Sequence, residues 1–283
     1  MSAAMSRPFL KMNGLGNDFV VVEARSAPFA PTADEVRAIA DRAKGVGCDQ
    51  LIAIEPPAAD ANGEGADARV RFWNADGEEV AACGNGARCV GWLLMQSSGK
   101  DRIVIETKAG RLIAERAGER LVSVDMGEPR LDWREIPLAE AQDTRALAVR
   151  LYDHPALAAA PGCVSMGNPH VVFFVPDIET APVTEAGPAI ERHPLFPEQV
   201  NVGFAQILDR GRIRLRVWER GAGLTQACGT GACATAVAAI RQRLVESPVE
   251  VRLPGGALTI SWEPGGPVVM NGPATHVFTG ELD

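Results

Sequence analysis

The chain has 283 residues, 28 of them lysine or arginine and 36 aspartate or glutamate, for a formal charge of −8. That length suits two ordinary domains, and the acidic balance argues against non-specific nucleic-acid binding. No apolar run approaches the roughly 18 residues of a membrane span, and the first residues lack a signal-peptide core, so a cytoplasmic protein with no membrane partner is expected.

Residues 1–7 read as a disordered extension. Phe9 to Glu23 holds two strand-like apolar pieces around Gly14 and Gly16. Thr32-Ala33-Asp34-Glu35 is a capping-box start, predicting a helix to about Ala43. Gln50 to Ile54 reads as a short buried strand, 58–67 as a polar loop, and Val70 to Trp73 as a strand before the turn Asn74-Ala75-Asp76-Gly77. An apolar helix over 84–96 ends at Ser98-Gly99, and strands follow near 102–107, 110–116 and 120–125. From Glu128 to Pro161 there is one uncertain strand and little periodicity. Cys163 to Val175 is a strand interrupted at Gly167-Asn168-Pro169, Thr184 to His193 a short helix, and 202–208 and 213–219 are strands. A second apolar helix occupies 229–241. Strands at 250–253 and 257–262 make a hairpin about Pro254-Gly255-Gly256, and short strands at 268–270 and 276–278 close the chain. Strands outnumber helices without regular βαβ alternation, which predicts an α+β fold.

One six-residue stretch occurs twice. Ala82-Cys83-Gly84-Asn85-Gly86-Ala87 returns, 145 residues on, as Ala227-Cys228-Gly229-Thr230-Gly231-Ala232. Trp73 and Trp218 each precede their cysteine by ten residues. Gly16-Asn17-Asp18-Phe19-Val20-Val21 matches Gly167-Asn168-Pro169-His170-Val171-Val172 at an offset of 151. Two correlated matches imply two copies of one fold: 8–127 plus 273–283 carrying Cys83, and 128–272 carrying Cys228. Each copy is expected to curl a mixed sheet about its central buried helix.

The Gly-x-Gly after each cysteine permits a tight turn into a helix whose free N–H groups and dipole favour an anion. A cysteine there is expected to favour its thiolate relative to a free thiol, whose pKa is about 8.5. Structural zinc is the competing use of these cysteines, but the spacings Cys83/Cys89 and Cys228/Cys233 are wider than most zinc motifs, and only Cys83 and Cys228 coincide in the repeat. No metal site is therefore expected, and Cys48 and Cys163 read as core. Polar residues also recur at paired places: Asn17 with Asn168, Gln50 with Asn201, and Asn74 with Glu219, which is followed by Arg220. A carboxylate beside a guanidinium suits a zwitterionic ligand. His170 is the one histidine in a shared motif. Two matched thiols can remove a proton from one face of a carbon and return one to the other, with helix N-termini stabilising the charge that develops. A redox-sensing or zinc module remains the alternative of another class. A pyridoxal enzyme would need a lysine in equivalent places, and none of Lys11, Lys44, Lys100 or Lys108 has one.

The stretches GLGNDFVVVE, NADGEEVAACGNGARC, VSMGNPHVVFF, NVGFAQI and WERGAGLTQACGTGACAT resemble the successive signatures of the diaminopimelate epimerases. The resemblance covers the chain from Phe9 to the last strand. It implies cofactor-independent interconversion of LL- and meso-2,6-diaminopimelate in lysine and peptidoglycan precursor synthesis, by two pseudo-symmetric domains in a homodimer. It implies Cys83 and Cys228 as proton donor and acceptor, with His170 and Glu219 tuning them. It further implies Asn17, Gln50, Asn74, Gly84, Asn85, Asn168, Asn201, Glu219, Arg220, Gly229 and Thr230 as substrate-binding. Two positions depart from the pattern. Asn13 stands where a histidine is frequent, and Thr230 where serine is. Proline racemase-like enzymes share the paired cysteines but not this amide set. Phe278 is expected on the dimer surface.

Overall fold

The computed structural model describes residues 6–58 and 65–282. Residues 1–5 of the expected extension and 59–64 of the expected loop lie outside that range. The chain divides into two compact units, Met1–Val124 with Asn271–Asp283 and Asp125–Met270.

The first unit opens with β1 (Arg7–Gly14), β2 (Asn17–Glu23), α1 (Ala33–Ala40), β3 (Gln50–Glu55), β4 (Ala68–Asn74) and β5 (Glu79–Val80). Then come α2 (Gly84–Ser98), β6 (Arg102–Thr107), β7 (Gly110–Arg116) and β8 (Leu121–Asp125). The second holds β9 (Gly162–Ser165), β10 (Pro169–Phe174), α3 (Val183–Glu191), β11 (Asn201–Asp209), β12 (Arg212–Glu219) and β13 (Gly223–Thr225). It continues through α4 (Gly229–Arg241), β14 (Val249–Leu253), β15 (Gly256–Ser261) and β16 (Val269–Pro273), after which β17 (Thr275–Leu282) returns to pair antiparallel with β1.

The duplication read from sequence is a duplication of pairing. β2 runs parallel to β3 with Phe19 opposite Gln50, and β10 parallel to β11 with His170 opposite Asn201. β3 is antiparallel to β4 with Leu51 opposite Trp73, and β11 to β12 with Val202 opposite Trp218. β4 then pairs with β5 and, in parallel, with β6; β12 does the same with β13 and β14. Mixed sheets with few helices make the fold α+β, as the sequence predicts.

Each cysteine helix packs on strands from both ends of its own sheet, α2 on β1, β2, β6 and β7, and α4 on β9 to β12, β14 and β15. Neither helix has a polar face to expose, which is why both are apolar nearly all round. The repeated tryptophans face away from these helices. Strand side chains alternate, so Phe72 meets Gly86 of α2 while Trp73 joins Val36 and Ala40 of α1 in the opposite core. Trp218 lies on Gly187 of α3, where a Cβ would fall 2.6 Å from its ring, and donates its indole N–H to Glu191 at 2.7 Å.

Several expectations need correction. Arg7 is the first residue of β1, with its guanidinium donating to the Ala27 and Pro28 carbonyls, so the lead-in is not disordered as far as residue 7. α1 has its capping box at Thr32 and Glu35 but ends at Ala40, because the Asp41 carboxylate accepts the Ala43 and Lys44 N–H groups and turns the chain. The strand expected between 128 and 161 is only a bridge from Arg130 to Ser165, followed by turns and one 3₁₀ turn at Pro155–Leu157. That segment is pinned by separate buried residues, Ile136, Leu138, Leu147, Leu151 and Leu157, whose spacing follows no regular period. The last strand runs on to Leu282, well past Phe278.

The helix starts sit hard against the sheets. A Cβ on Gly86 would lie 2.8 Å from Phe72 and 3.0 Å from Ile52. Gly86→Ala should therefore cost about 1–3 kcal/mol by overpacking, read as a lower denaturant midpoint with an unchanged slope. A midpoint equal to that of the native protein would mean α2 does not seat as described.

Candidate active site

Both cysteines are N-cap residues. Cys83 has extended backbone angles, φ −142° and ψ 115°, and its Sγ accepts the Gly86 N–H at 3.4 Å. Cys228, at φ −130° and ψ 107°, accepts the Gly231 N–H at the same 3.4 Å. In each case sulfur occupies the place of the oxygen of an ordinary capping side chain. Gly231 keeps that place open, since a Cβ there would stand 3.1 Å from the Cys228 sulfur.

Around Cys83, the Asn17 Oδ1 lies 3.9 Å from the sulfur and accepts the Asn85 Nδ2 at 3.4 Å. The Asn17 Nδ2 donates to Asp49 at 2.8 Å. Next in register, the Gln50 Nε2 donates to the Asn74 Oδ1 at 2.8 Å across β3 and β4. The buried Gln50 Oε1 and Asn85 Oδ1 have no hydrogen-bond partner. Asn13, where the family pattern varies, caps the Leu15-Gly16 turn by accepting the Gly16 N–H at 3.1 Å.

Around Cys228, the Thr230 hydroxyl is 3.6 Å from the sulfur and accepts the Asn168 Nδ2 at 3.4 Å. The Asn168 Oδ1 is 3.1 Å from the His170 Nε2. Glu219 accepts the Thr225 hydroxyl at 2.5 Å and also hydrogen-bonds the Cys228 thiol. Asn201 is engaged at both ends, donating to the Pro169 carbonyl at 2.9 Å and accepting the Arg220 N–H at 3.0 Å. Arg220 also donates from its side chain to the Glu198 carbonyl at 2.8 Å.

The electrostatics reverse one expectation. Burial pushes the Cys228 thiol well above its ordinary value and the Glu219 charge pushes it further, against weaker opposing bonds from Thr230 and Gly231. Cys228 is thus held as a thiol: for a buried sulfur, desolvation together with an adjacent carboxylate outweighs the helix N-terminus. Glu219 is itself raised by burial, offset in part by the Thr225 and Cys228 donors. Burial and the Arg220 charge lower His170 to about 3, leaving a neutral imidazole. It touches Asn168, so its path to the sulfur runs through that amide and Thr230. Cys48 and Cys89 are raised by burial to about 11 and about 12, and Cys163 also upward, as suits core thiols.

The diaminopimelate epimerase family profile matches residues 9–131 and 162–277. The chain belongs to the diaminopimelate epimerase family. It is 73% identical over 282 residues to a diaminopimelate epimerase of Phenylobacterium zucineum (strain HLK1), covering 100% of both chains. A diaminopimelate epimerase of Rhizorhabdus wittichii is 58% identical over 276 residues, covering 97% of this chain and 95% of that one. Among solved structures, a hydroxyproline epimerase from Agrobacterium vitis superposes with a TM-score of 0.68 at 17% identity, covering 100% of this chain and 94% of the other. A PhzF-family phenazine biosynthesis protein from Enterococcus faecalis gives 0.67 at 16%, covering 99% and 100%. At such identities the likeness is one of fold. Membership of the diaminopimelate epimerase family makes the chain an isomerase of the epimerase type.

In this member of the diaminopimelate epimerase family, Cys83, Asn17 and Asn85 form one bonded group in the first unit, with Gln50 and Asn74 a bonded pair beside it. Cys228, Thr230, Asn168 and His170 form a chain in the second, with Glu219 joined at the sulfur. Gly84 and Gly229 are the first residues of the two helices. Sequence reasoning missed Asp49, which immediately precedes Gln50, and Thr225, three residues before Cys228. Short polar residues beside motif positions were the available signal.

Replacing Glu219 with glutamine removes a negative charge from the Cys228 sulfur. The thiol should then ionise at lower pH, read as an earlier rise of thiolate absorbance after subtraction of a Cys228→Ala control. An unchanged titration would mean Glu219 does not hold the proton on this sulfur.

Proposed function

We propose that the chain interconverts LL- and meso-2,6-diaminopimelate without a cofactor, with Cys83 and Cys228 as the two acid–base groups, in the synthesis of lysine and peptidoglycan precursors. The observation that carries this reading is the pair of sulfur N-caps, each fixed by the same Gly N–H at the start of a buried helix. A thiolate takes the α-proton and becomes a thiol. The pair of electrons left behind moves into the adjacent carboxylate. The other cysteine, a thiol at the outset, returns a proton to the opposite face and is left as thiolate. The free N–H groups of Gly84-Asn85 and Gly229-Thr230 stabilise the carboxylate charge as it grows, as an oxyanion hole does.

Glu219 supports this division of labour, since a Cys228 held as thiol is ready to donate. The amides of Asn17, Gln50, Asn74, Asn168 and Asn201 and the Glu219-Arg220 pair hold the charged ends of the substrate. A buried acceptor left unbonded costs about 1–3 kcal/mol, so Gln50 Oε1 and Asn85 Oδ1 suit the N–H groups of an ammonium. Cys83→Ala and Cys228→Ala should each lower turnover of LL-diaminopimelate at least ~10²-fold, with the far-ultraviolet dichroism unchanged. Near-native turnover by either variant would remove that thiol from the mechanism.

A homodimer belongs to the same proposal. Val277 and Phe278 are adjacent on β17 and are 55% and 46% exposed, which leaves apolar surface for a partner chain to cover. Light scattering should give twice the chain mass, and Phe278→Asp should halve it. A monomeric native protein would contradict this.

A further inference from the structure

The two equivalent asparagines present opposite ends to their cysteine helices. Asp49 is a carboxylate, so it can only accept, and the group it takes from Asn17 at 2.8 Å must be the NH₂ end. The carbonyl end of Asn17 is thereby turned toward the Cys83 sulfur and the Asn85 side chain. In the second unit the amide is the other way round. His170 stands at the carbonyl end of Asn168, and the NH₂ end meets the Thr230 hydroxyl next to Cys228. The residues that would orient Asn168 as Asn17 is oriented are missing. At the repeat offset of 151, Asp18 corresponds to Pro169 and Asp49 to Val200.

Asp49 is itself fixed from several sides. It accepts the Asp18 N–H at 3.0 Å, and the Arg42 guanidinium spans from Asp49 at 2.6 Å to Asp18 at 2.7 Å. The Asp18 carboxylate also accepts the Asp49 N–H at 3.1 Å and pairs with the largely buried Lys11 at 2.5 Å. The Lys11 ammonium reaches on to the Gly47 carbonyl. The cluster reaches the Cys83 sulfur through Asp49 and then Asn17. The cluster holds Asp49, and Asp49 in turn orients one amide.

We propose that Asp49 is a positioning residue: it locks the Asn17 amide with its carbonyl toward Cys83, where in the other unit the NH₂ end of Asn168 meets the Thr230 hydroxyl instead. An acceptor beside a thiol favours the S–H form, and a donor favours thiolate. Reversing the amide would therefore change how readily Cys83 gives up its proton. The inference concerns the same cysteine as the proposed epimerase reaction and gains its catalytic meaning from that reading, but its test does not need turnover.

The test is the pH dependence of Cys83 alkylation by iodoacetamide in a Cys228→Ala background, the other four cysteines being buried. Asp49→Asn removes the charge yet can keep a carbonyl toward Asn17, its NH₂ taking the place of the oxygen that now meets the exposed Arg42. Asp49→Leu removes charge and acceptor together. The inflection for Asp49→Asn should stay within a few tenths of a pH unit of the native one, and that for Asp49→Leu should fall by about one unit. Equal shifts in the two variants would reduce Asp49 to a simple charge, and no shift in Asp49→Leu would sever it from Cys83; either result overturns the proposal. Should Asp49→Leu fail to fold, exchange of the Asn17 side-chain NH₂ protons in the native protein decides. Slow exchange is expected for an NH₂ held by a carboxylate, and exchange at the free-amide rate overturns the assignment. Failure to turn over diaminopimelate would count against the proposed function and leave this result standing.

Discussion

A sulfur atom accepting the N–H of the third residue of a buried helix is the contact on which both halves of the molecule depend. It needs a cysteine with extended backbone angles, and a glycine three positions on that lets the first turn press against the sheet. It also needs a helix apolar enough to be enclosed by its own strands. Every part of that requirement is visible in the chain twice. The consequence is chemical as well as structural: in the second half the cysteine is buried with its helix, whereas Cys83 is only half-buried, and burial opposes ionisation. At Cys228 the opposition wins, and the carboxylate of Glu219 reinforces it.

The duplicated scaffold does not carry duplicated polar surroundings. In the first unit the amide near the sulfur is governed by carboxylates and the cations that hold them; in the second by a neutral imidazole and a hydroxyl. The Asn17 carbonyl favours the S–H form at Cys83, as burial and Glu219 do at Cys228, so whichever sulfur begins the reaction as thiolate ionises against these contacts. Two identical environments would give coupled titrations with no preferred resting arrangement.

Much of this was legible in the residues. The α+β class, the helix starts at Cys83 and Cys228, the capping box at Thr32 and the pairing of Trp73 with Trp218 all follow from local chemistry or repetition. What the repeat could not show is what differs between its copies. Asp18 and Asp49 correspond in the repeat to Pro169 and Val200, so a comparison of the halves passes over them. The protonation state of Cys228 was hidden for another reason: helix position is written in sequence, whereas desolvation is a property of the folded core. The stretch from 128 to 161 resisted reading because single apolar anchors, not a periodic face, hold it down.

The central claim is that one cysteine, as thiolate, removes the proton and the other, as thiol, replaces it. It is tested most directly by running the reaction in heavy water from LL-diaminopimelate and analysing both isomers early in the time course. The account predicts meso product carrying one solvent deuterium at the inverted α-carbon, while unreacted LL-diaminopimelate remains unlabelled. Deuterium appearing in recovered LL-diaminopimelate as fast as in product would point to a single base exchanging with solvent, and would contradict it.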